Sequence, residues 1–489
     1  MGRRTRLPSL AVPVLGVLLG MLQAACLGPK YVRPTVPVPD AFRGAETAPV
    51  EASGKTYGDL GWEEIFKDET LRGLIRRALE HNPDARLAAE RIEEARASLR
   101  ITRSAQYPTA SGAADFQAWR DSGATSGAYP GAERTTSSFE SYVQAVFELD
   151  FWGRLRRSTE AARAQLLATE EARRTVALGL TAEVATAYLS LREMDLELEI
   201  SRKTLASRLE SLKLVKARQE GGVATLLDVD QAQGLVDQAR TTIAGLERQA
   251  AQQENYLCVL LGSNPGDIPR GKPVTEQMDA PEVPPGLPSG LLERRPDIRR
   301  AEQNLIAANA GVAVARAEYF PKFTLTGSAG TLSEDFNHLF SRSSLTWSVM
   351  PQLTVPVFNA GKVKAGVRQA RSRYRQALIT YEQTVLQAFR EVADALVGYA
   401  KQREYRRLQE SATATLADQA RLSNLRYSGG VTSYLEVLDS ERQYFSAQLT
   451  LAQAVRDEFG ALVYLYKVLG GGWKAAASPA GAPAPSPGP

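Results

Sequence analysis

"RQEGGVATLLDVDQAQ", Arg218–Gln233, and "RYSGGVTSYLEVLDSE", Arg426–Glu441, are two versions of one pattern. Each begins with Arg, continues into Gly-Gly-Val, and passes through hydroxyl-bearing residues into an apolar run that contains an acid. The second stretch follows the first after 426 − 218 = 208 residues. A pattern that recurs at a fixed spacing is typical of a duplicated structural unit. The two stretches therefore indicate a chain with two like halves.

The spacing persists far beyond the two stretches. It relates Gly153 to Gly361, Arg163 to Arg371, Glu183 to Glu391 and Gly262 to Gly470. Upstream it becomes 295 − 82 = 213, because "NPDAR" at Asn82 aligns with "RPDIR" at Arg295. We therefore predict a first repeat over residues 66–270, a linker over 271–290 and a second repeat over 291–473.

The two ends of the chain differ in composition from the repeats. Residues 1–25 combine three early arginines, an apolar run and Ala24-Ala25, which is typical of a signal peptide. Small residues before Cys26 resemble a lipoprotein processing site, which would make Cys26 the lipidated start of an N-terminal segment over 26–65. A plain secretory signal without a role for Cys26 is the alternative. Residues 474–489 are rich in Ala, Pro and Gly, so we expect them to be disordered.

Composition and motifs argue against several classes of protein. A net charge of +4 is too small to favour nucleic-acid binding, and two His and two Cys do not favour a metal site or a disulfide framework. We find no nucleophile elbow, phosphate-binding glycine loop or triad histidine. The sequence therefore predicts no catalytic residue, no metal site and no cofactor, and the chain is not expected to be an enzyme.

Long helices are predicted in both repeats. The segments from Arg154 to Arg218 and from Lys362 to Arg426 lack Pro, and 65 residues at about 1.5 Å each span about 95 Å. After the first turn, apolar or small residues repeat every seven positions, as in a coiled-coil seam: Val229, Val236, Ile243, Ala250 and Leu257, with Ala232, Ala239, Leu246 and Leu260. We interpret Gly221, Gly222, Gly429 and Gly430 as the turns of two helical hairpins, the alternative being linkers between ordinary helices.

Apolar and polar residues alternate in two further segments, Phe139–Phe151 and Leu345–Val357, which predicts half-buried strands. With partners before them, each repeat contributes one strand hairpin, about residues 108–151 and 320–358. Four strands of membrane-spanning length cannot close a barrel alone, so two, three or four chains would supply about 8, 12 or 16 strands. This arithmetic does not choose between them, and a soluble half-buried sheet also fits the alternation.

Four stretches resemble a known family: "GPKYVRP" after Cys26, "LPSGLLERRPDIRRAEQNLIAANAGVAVARAEYFPKFTLTGSAG" (Leu287–Gly330), "RYSGGVTSYLEVLD", and "LYKVLGGGW" ending at Trp473. They are similar to the TolC-like outer-membrane efflux proteins of Gram-negative bacteria, within them the NodT-type lipoproteins. The resemblance covers nearly the whole mature chain. It implies a mainly α fold with membrane β structure, in which a homotrimer forms a 12-helix α-barrel in the periplasm and a 12-stranded β-barrel in the outer membrane.

The resemblance also implies a function. Such a trimer is a passive, lipid-anchored duct that exports drugs or other small molecules together with a periplasmic adaptor (membrane fusion) protein and an RND-type inner-membrane pump. Its periplasmic gate would comprise Leu435, Glu436 and Asp439, with Tyr427 and Asp228 as a latch. The two acids of the gate could instead belong to an ordinary solvated helix face. The alternative function is a periplasmic adaptor or scaffold lipoprotein, which two hairpins and two matched strand pairs disfavour.

Overall fold

Helices form most of the chain in the computed structural model, which describes residues 30–39, 42, 57, 60–120, 122, 135–278 and 288–472. The predicted signal peptide, Cys26, the C-terminal tail and linker residues 279–287 lie outside the described residues. The helices are α1 (Trp62–Ile65), α2 (Glu69–His81), α3 (Pro83–Ser104), α4 (Arg154–Glu220), α5 (Leu226–Leu260), α6 (Pro288–Arg294), α7 (Pro296–Ala317), α8 (Lys362–Ser428) and α9 (Tyr434–Val468). The strands are β1 (Thr109–Arg120), β2 (Thr135–Leu149), β3 (Lys322–Ser333) and β4 (Leu345–Thr354).

The two repeats fold into matching helical hairpins. Helices α4 and α8 each contain 67 residues, and the return helices α5 and α9 each contain 35. Both turns use a glycine in the left-handed conformation, with φ of 76° at Gly222 and 73° at Gly430. In each turn the N–H two residues beyond the first glycine donates to the arginine carbonyl, at 2.8 Å for Val223 and 2.9 Å for Val431. The turns therefore have the same backbone geometry, as expected for a duplication.

The return helix α5 buries the predicted seam. Seven of its nine seam residues are buried, and the other two, Val229 and Ile243, are half-buried. Near the turns, α4, α5 and α9 share one buried apolar cluster, which comprises Leu212, Val215, Ala232, Val236, Tyr434 and Val437. Burial of such a cluster from three helices fixes the hairpins against each other through the hydrophobic effect.

The far ends of the return helices show how the duplication keeps a contact while changing its chemistry. The Asn82 side chain donates to the Leu260 carbonyl at 2.9 Å. At the aligned position, Arg295 donates to the Val468 carbonyl at 3.2 Å, and 468 − 260 = 208. Each side chain thus satisfies a carbonyl that the end of an α-helix leaves unpaired. Arg295 also pairs with Glu391 at 2.8 Å.

The four strands form one antiparallel sheet in the order β1-β2-β3-β4. Strands β2 and β3 join the hairpins of the two repeats, with Tyr142 opposite Gly330. No side chain of the four strands is buried in a single chain. Most side chains of β2 and β3 are half-buried, whereas most side chains of β1 and β4 are exposed. Apolar residues such as Trp347 and Val349 remain exposed.

The chain divides into two compact units. Of the described residues, one unit comprises those within 30–34, 92–169 and 301–381 and contains the sheet. The other comprises those within 35–91, 170–300 and 382–472 and contains both helical turns. Each unit takes segments from both repeats, so the units cut across the duplication. Among the helices of the described residues, none is both long and apolar enough to cross a lipid bilayer.

Candidate gate at the helical turns

The candidate site comprises the two turns, the last turns of α4 and α8 before them and the first two turns of α5 and α9 after them, which together we call the tip. In the first turn, Thr225 caps α5: its hydroxyl accepts from the Asp228 N–H at 3.2 Å. The Asp228 carboxylate in return accepts from the Thr225 N–H and hydroxyl, each at 2.8 Å. This reciprocal capping box satisfies backbone donors at the start of the helix and stabilises it by about 1 kcal/mol.

The second turn uses the aligned residues differently. Ser433, aligned with Thr225, makes no side-chain cap hydrogen bond. Glu436, aligned with Asp228, lies 3.1 Å from the Arg426 guanidinium. The ion pair is partly exposed, so it contributes at most about 1 kcal/mol to stability. Its main effect is to offset the charge of Glu436 within its own hairpin.

Arg218 makes a contact that its repeat partner Arg426 does not make. Its Nη1 donates to the Tyr427 carbonyl at 3.0 Å, and its guanidinium lies 4.7 Å from the centre of the Tyr427 ring. The Tyr427 ring in turn packs edge-on against the buried Tyr434 at 5.2 Å. Burial raises the pKa of both tyrosine hydroxyls, so both rings stay neutral near neutral pH. Arg218 therefore joins the first hairpin to the second.

The predicted gate residues are exposed in one chain. Leu435 is 59% exposed, and Glu436 and Asp439 also face solvent. Asp439 accepts from the Gln443 amide at 2.6 Å. Within the described part of a single chain, Tyr427 and Asp228 form no hydrogen bond with each other. The structure thus places all five predicted residues at the tip; Arg218 contacts Tyr427 directly, and the charge of Asp228 acts on the Tyr427 hydroxyl without a hydrogen bond between them in the described residues.

Two arginines were not singled out from the sequence. Arg208 is only 2% exposed; its Nη1 donates to the Leu235 carbonyl at 2.8 Å, and its guanidinium lies 4.8 Å from the centre of the Phe445 ring. Burial lowers the pKa of this guanidinium. A signal for Arg208 was present, because the aligned residue of the second repeat is Leu416. Arg218 gave no such signal, since both repeats carry Arg at this position.

The chemistry of the tip is that of ion pairing and helix contact. Carboxylates, guanidinium groups and neutral tyrosines can attract ions and hold helices together. Across the ranges that the structure describes, no group of three or more His, Cys, Asp or Glu residues could hold a metal ion.

Comparison with known proteins shows the family. The model of the family described as "Outer membrane efflux protein" matches residues 74–263 and 287–471. Cation efflux system protein CusC of Escherichia coli O6:H1 is 37% identical over 454 residues, which cover 93% of this chain and 97% of CusC. Toluene efflux pump outer membrane protein TtgI of Pseudomonas putida is 39% identical over 485 residues, covering 95% of this chain and 98% of TtgI.

A solved structure agrees with these relatives. The open state of the MtrE outer membrane channel of Neisseria gonorrhoeae superposes with a TM-score of 0.81 at 32% identity, covering 91% of this chain and 98% of MtrE. The predicted fold, with long helices and four antiparallel strands, is confirmed by this likeness. The chain therefore belongs to the outer membrane efflux protein family and is an outer-membrane efflux channel rather than an enzyme.

Proposed function

We propose that three copies of this chain form the exit duct of a tripartite efflux pump. The observation that supports this most directly is the open sheet of a single chain. On β4, Trp347, Val349 and Leu353 alternate along one face and are 73%, 62% and 55% exposed. An apolar face of this kind belongs against lipid or another apolar surface.

The edges of the sheet favour assembly. Strands β1 and β4 each pair on one side only within the chain. Unpaired backbone N–H and C=O groups cost several kcal/mol each in hydrocarbon, so an open sheet does not span a membrane. Three chains supply twelve strands, the number that the family resemblance implies, whereas two or four chains would supply eight or sixteen.

The duct would connect with further components. We propose that the duct works together with a periplasmic adaptor (membrane fusion) protein and an inner-membrane pump of the RND type. We also propose that Cys26 is acylated and serves as a lipid anchor. The names of CusC and TtgI associate those relatives with cations and toluene, respectively. Because relatives of similar identity carry such different cargo, we assign this chain only the export of drugs or other small molecules and ascribe cargo selection to the pump.

We further propose that the tip closes the periplasmic end through Leu435, Glu436 and Asp439. Three copies of each acid around one axis would form a negatively charged constriction that attracts cations. Arg426 offsets the charge of Glu436 at 3.1 Å, whereas the nearest cation to Asp439 is Arg442 at 3.6 Å. Asp439 is therefore the acid that we expect to dominate cation selectivity.

The predicted Tyr427–Asp228 latch is assigned to neighbouring chains. Within one chain the Asp228 carboxylate is committed to Thr225 at 2.8 Å, and Tyr427 contacts Arg218 instead. A hydrogen bond between the Tyr427 hydroxyl and Asp228 would then join two chains of the closed trimer rather than two turns of one chain.

The test uses the mature chain in outer-membrane fractions and in planar bilayers. We expect a trimer that dissociates on heating and forms cation-selective channels. Asp439→Asn should reduce the cation-to-anion permeability ratio, whereas Glu436→Gln, which removes a charge already offset by Arg426, should reduce it less. A soluble periplasmic monomer would favour the adaptor alternative. Unchanged selectivity in the Asp439→Asn trimer would assign this acid to a solvated face outside the constriction.

A further inference from the structure

The contact of Arg218 with Tyr427 joins the two helical hairpins of one chain. Arg218 lies in the last turn of α4 in the first repeat, and Tyr427 lies in the last turn of α8 in the second. The contact combines a charge-assisted hydrogen bond of 3.0 Å to the Tyr427 carbonyl with a guanidinium 4.7 Å from the ring centre. The carbonyl oxygen and the ring face of Tyr427 both attract a cation, so together they favour one position of the Arg218 guanidinium.

The duplication provides an internal comparison. Arg426 occupies the position of Arg218 in the second repeat, since 426 − 218 = 208. It turns toward Glu436 of its own hairpin, at 3.1 Å, and forms no hydrogen bond or ion pair with the described residues of the first hairpin. The two arginines precede turns of the same backbone geometry. They differ because Arg218 joins the two hairpins, whereas Arg426 pairs within its own hairpin.

A second arginine holds the hairpins together deeper in the bundle. Arg208 precedes Arg218 by ten residues, which is about 15 Å along α4. It contacts the ring of Phe445 on α9 and the Leu235 carbonyl on α5 while almost fully buried. Arg218 is only partly buried, so water can replace its contacts more easily than those of Arg208. Separation of the hairpins would therefore begin at Arg218.

We propose that Arg218 is the residue that clasps the second hairpin against the first in the closed tip. Opening begins with loss of the contact between Arg218 and Tyr427, while the contact between Arg208 and Phe445 remains as the pivot. This inference rests on the proposed function, because it concerns the opening of the duct. It also differs from the hydroxyl latch, since Arg218 contacts the carbonyl and ring face of Tyr427 in addition to acting on its hydroxyl.

Single-channel recording of the full mature trimer in planar bilayers tests the clasp. Arg218→Gln is expected to raise the ratio of open to closed time by about tenfold, equivalent to about 1.4 kcal/mol. The matched variant Arg426→Gln should change this ratio by less than about twofold, because its ion pair lies within one hairpin. Tyr427→Phe keeps the ring and carbonyl and removes only the hydroxyl of the proposed latch, so it should raise the ratio less than Arg218→Gln does, whereas Tyr427→Leu should approach Arg218→Gln.

Two outcomes would overturn the inference while leaving the proposed function intact. If Arg218→Gln and Arg426→Gln changed the gating equally, the contact between the hairpins would have no special role. If Tyr427→Phe opened the channel as much as Arg218→Gln, the hydroxyl latch would hold the tip instead. Failure of the parent protein to form trimeric channels would overturn the proposed function itself, and the clasp with it.

Arg218→Lys keeps the experiment decisive if Arg218→Gln fails to assemble. A single ammonium cannot reproduce the planar fork that both donates to the carbonyl and covers the ring. We therefore expect a ratio of open to closed time between those of the parent and Tyr427→Leu. A heat-sensitive trimer with parental helix content serves as the folding control for every variant. A Lys variant that gates like the parent would contradict the clasp.

Discussion

A buried acid on α4, Glu193, should make the stability of the chain fall as pH rises. Glu193 and Glu197 lie one helical turn apart and are 3% and 5% exposed. Facing them from α9, Gln453 donates to Glu197 at 2.9 Å, and Arg456 lies 3.9 Å from Glu193 while pairing more closely with Asp457, at 2.8 Å. Burial, followed by the neighbouring Glu197, raises the pKa of Glu193 from 4.5 to about 8.

The direction and size of the effect follow from this pKa. Because the folded state holds the Glu193 proton more tightly than the unfolded chain does, the stabilisation is complete below pH 4.5 and is lost as pH rises through about 8. The interval between these values corresponds to at most about 5 kcal/mol. Glu193→Gln keeps a hydrogen-bonding amide and removes the titration. We expect it to unfold with a free energy about 2–5 kcal/mol higher than the parent at about pH 9, and within about 1 kcal/mol of it at about pH 5.

Thermal unfolding of the detergent-solubilised protein, followed by its helical circular dichroism, measures this effect. Unfolding entropy scales with chain length, so about 1 kcal/mol corresponds to about 1 °C here, and Glu193→Gln should gain about 2–5 °C at about pH 9. Glu199→Gln is the matched control, because Glu199 pairs with Lys203 at 2.6 Å on the exposed surface of the same helix. Parallel pH profiles for the parent and Glu193→Gln would refute the argument.

Asn82→Ala removes both the donor to the Leu260 carbonyl and the oxygen that caps α3, and should lower the free energy of unfolding by about 1–3 kcal/mol, measured by denaturant titration, whereas Asn82→Asp, which keeps the cap but lacks the donor, should restore only part of it. Asp228→Ala should destabilise the start of α5 by about 1 kcal/mol and speed amide exchange of its first turn, an effect that Asp228→Asn should largely avoid. Cys26→Ser should remove an acyl chain from the mature N-terminus, as measured by mass spectrometry. Membrane insertion should be partly retained, because many strand residues contact lipid in the proposed trimer. An unchanged mass would disprove acylation. Deleting residues 474–489 should leave the trimer unchanged on gels, and loss of trimer would give this segment a role in assembly.

The helices and turns were predictable because their causes are local. Absence of Pro, a heptad seam and paired glycines determine where α4, α5, α8 and α9 begin and end, and the fixed spacing of 208 residues extends each prediction to its copy. The strands were found from alternation, yet the difference in burial between β2 and β4 was not, because burial depends on what covers a sheet. Alternation has the same form whether the covering layer is a helix, another chain or lipid.

The contacts of the tip were less predictable for a different reason. Arg218 and Arg426 are the same residue type at aligned positions, yet they have different partners. The partner depends on which hairpin lies within reach of each side chain. Asp228 was predicted as a latch, although a hydroxyl residue three positions before it also satisfies the pattern of a capping box. The capping role of Asp228 could therefore have been predicted from the sequence.

In the proposed trimer, the two free edges of the sheet would make membrane insertion and association a single thermodynamic event. Strands β1 and β4 carry backbone groups that water satisfies before insertion and that only another strand can satisfy in lipid. The stability of the inserted sheet must then rise with the concentration of chains, as it does for any structure completed by a partner. A chain that reaches the membrane alone is an incomplete fold whose edges are open to wrong strands and to proteases. Supply of new chains, rather than their individual stability, would therefore limit how many channels a cell can assemble.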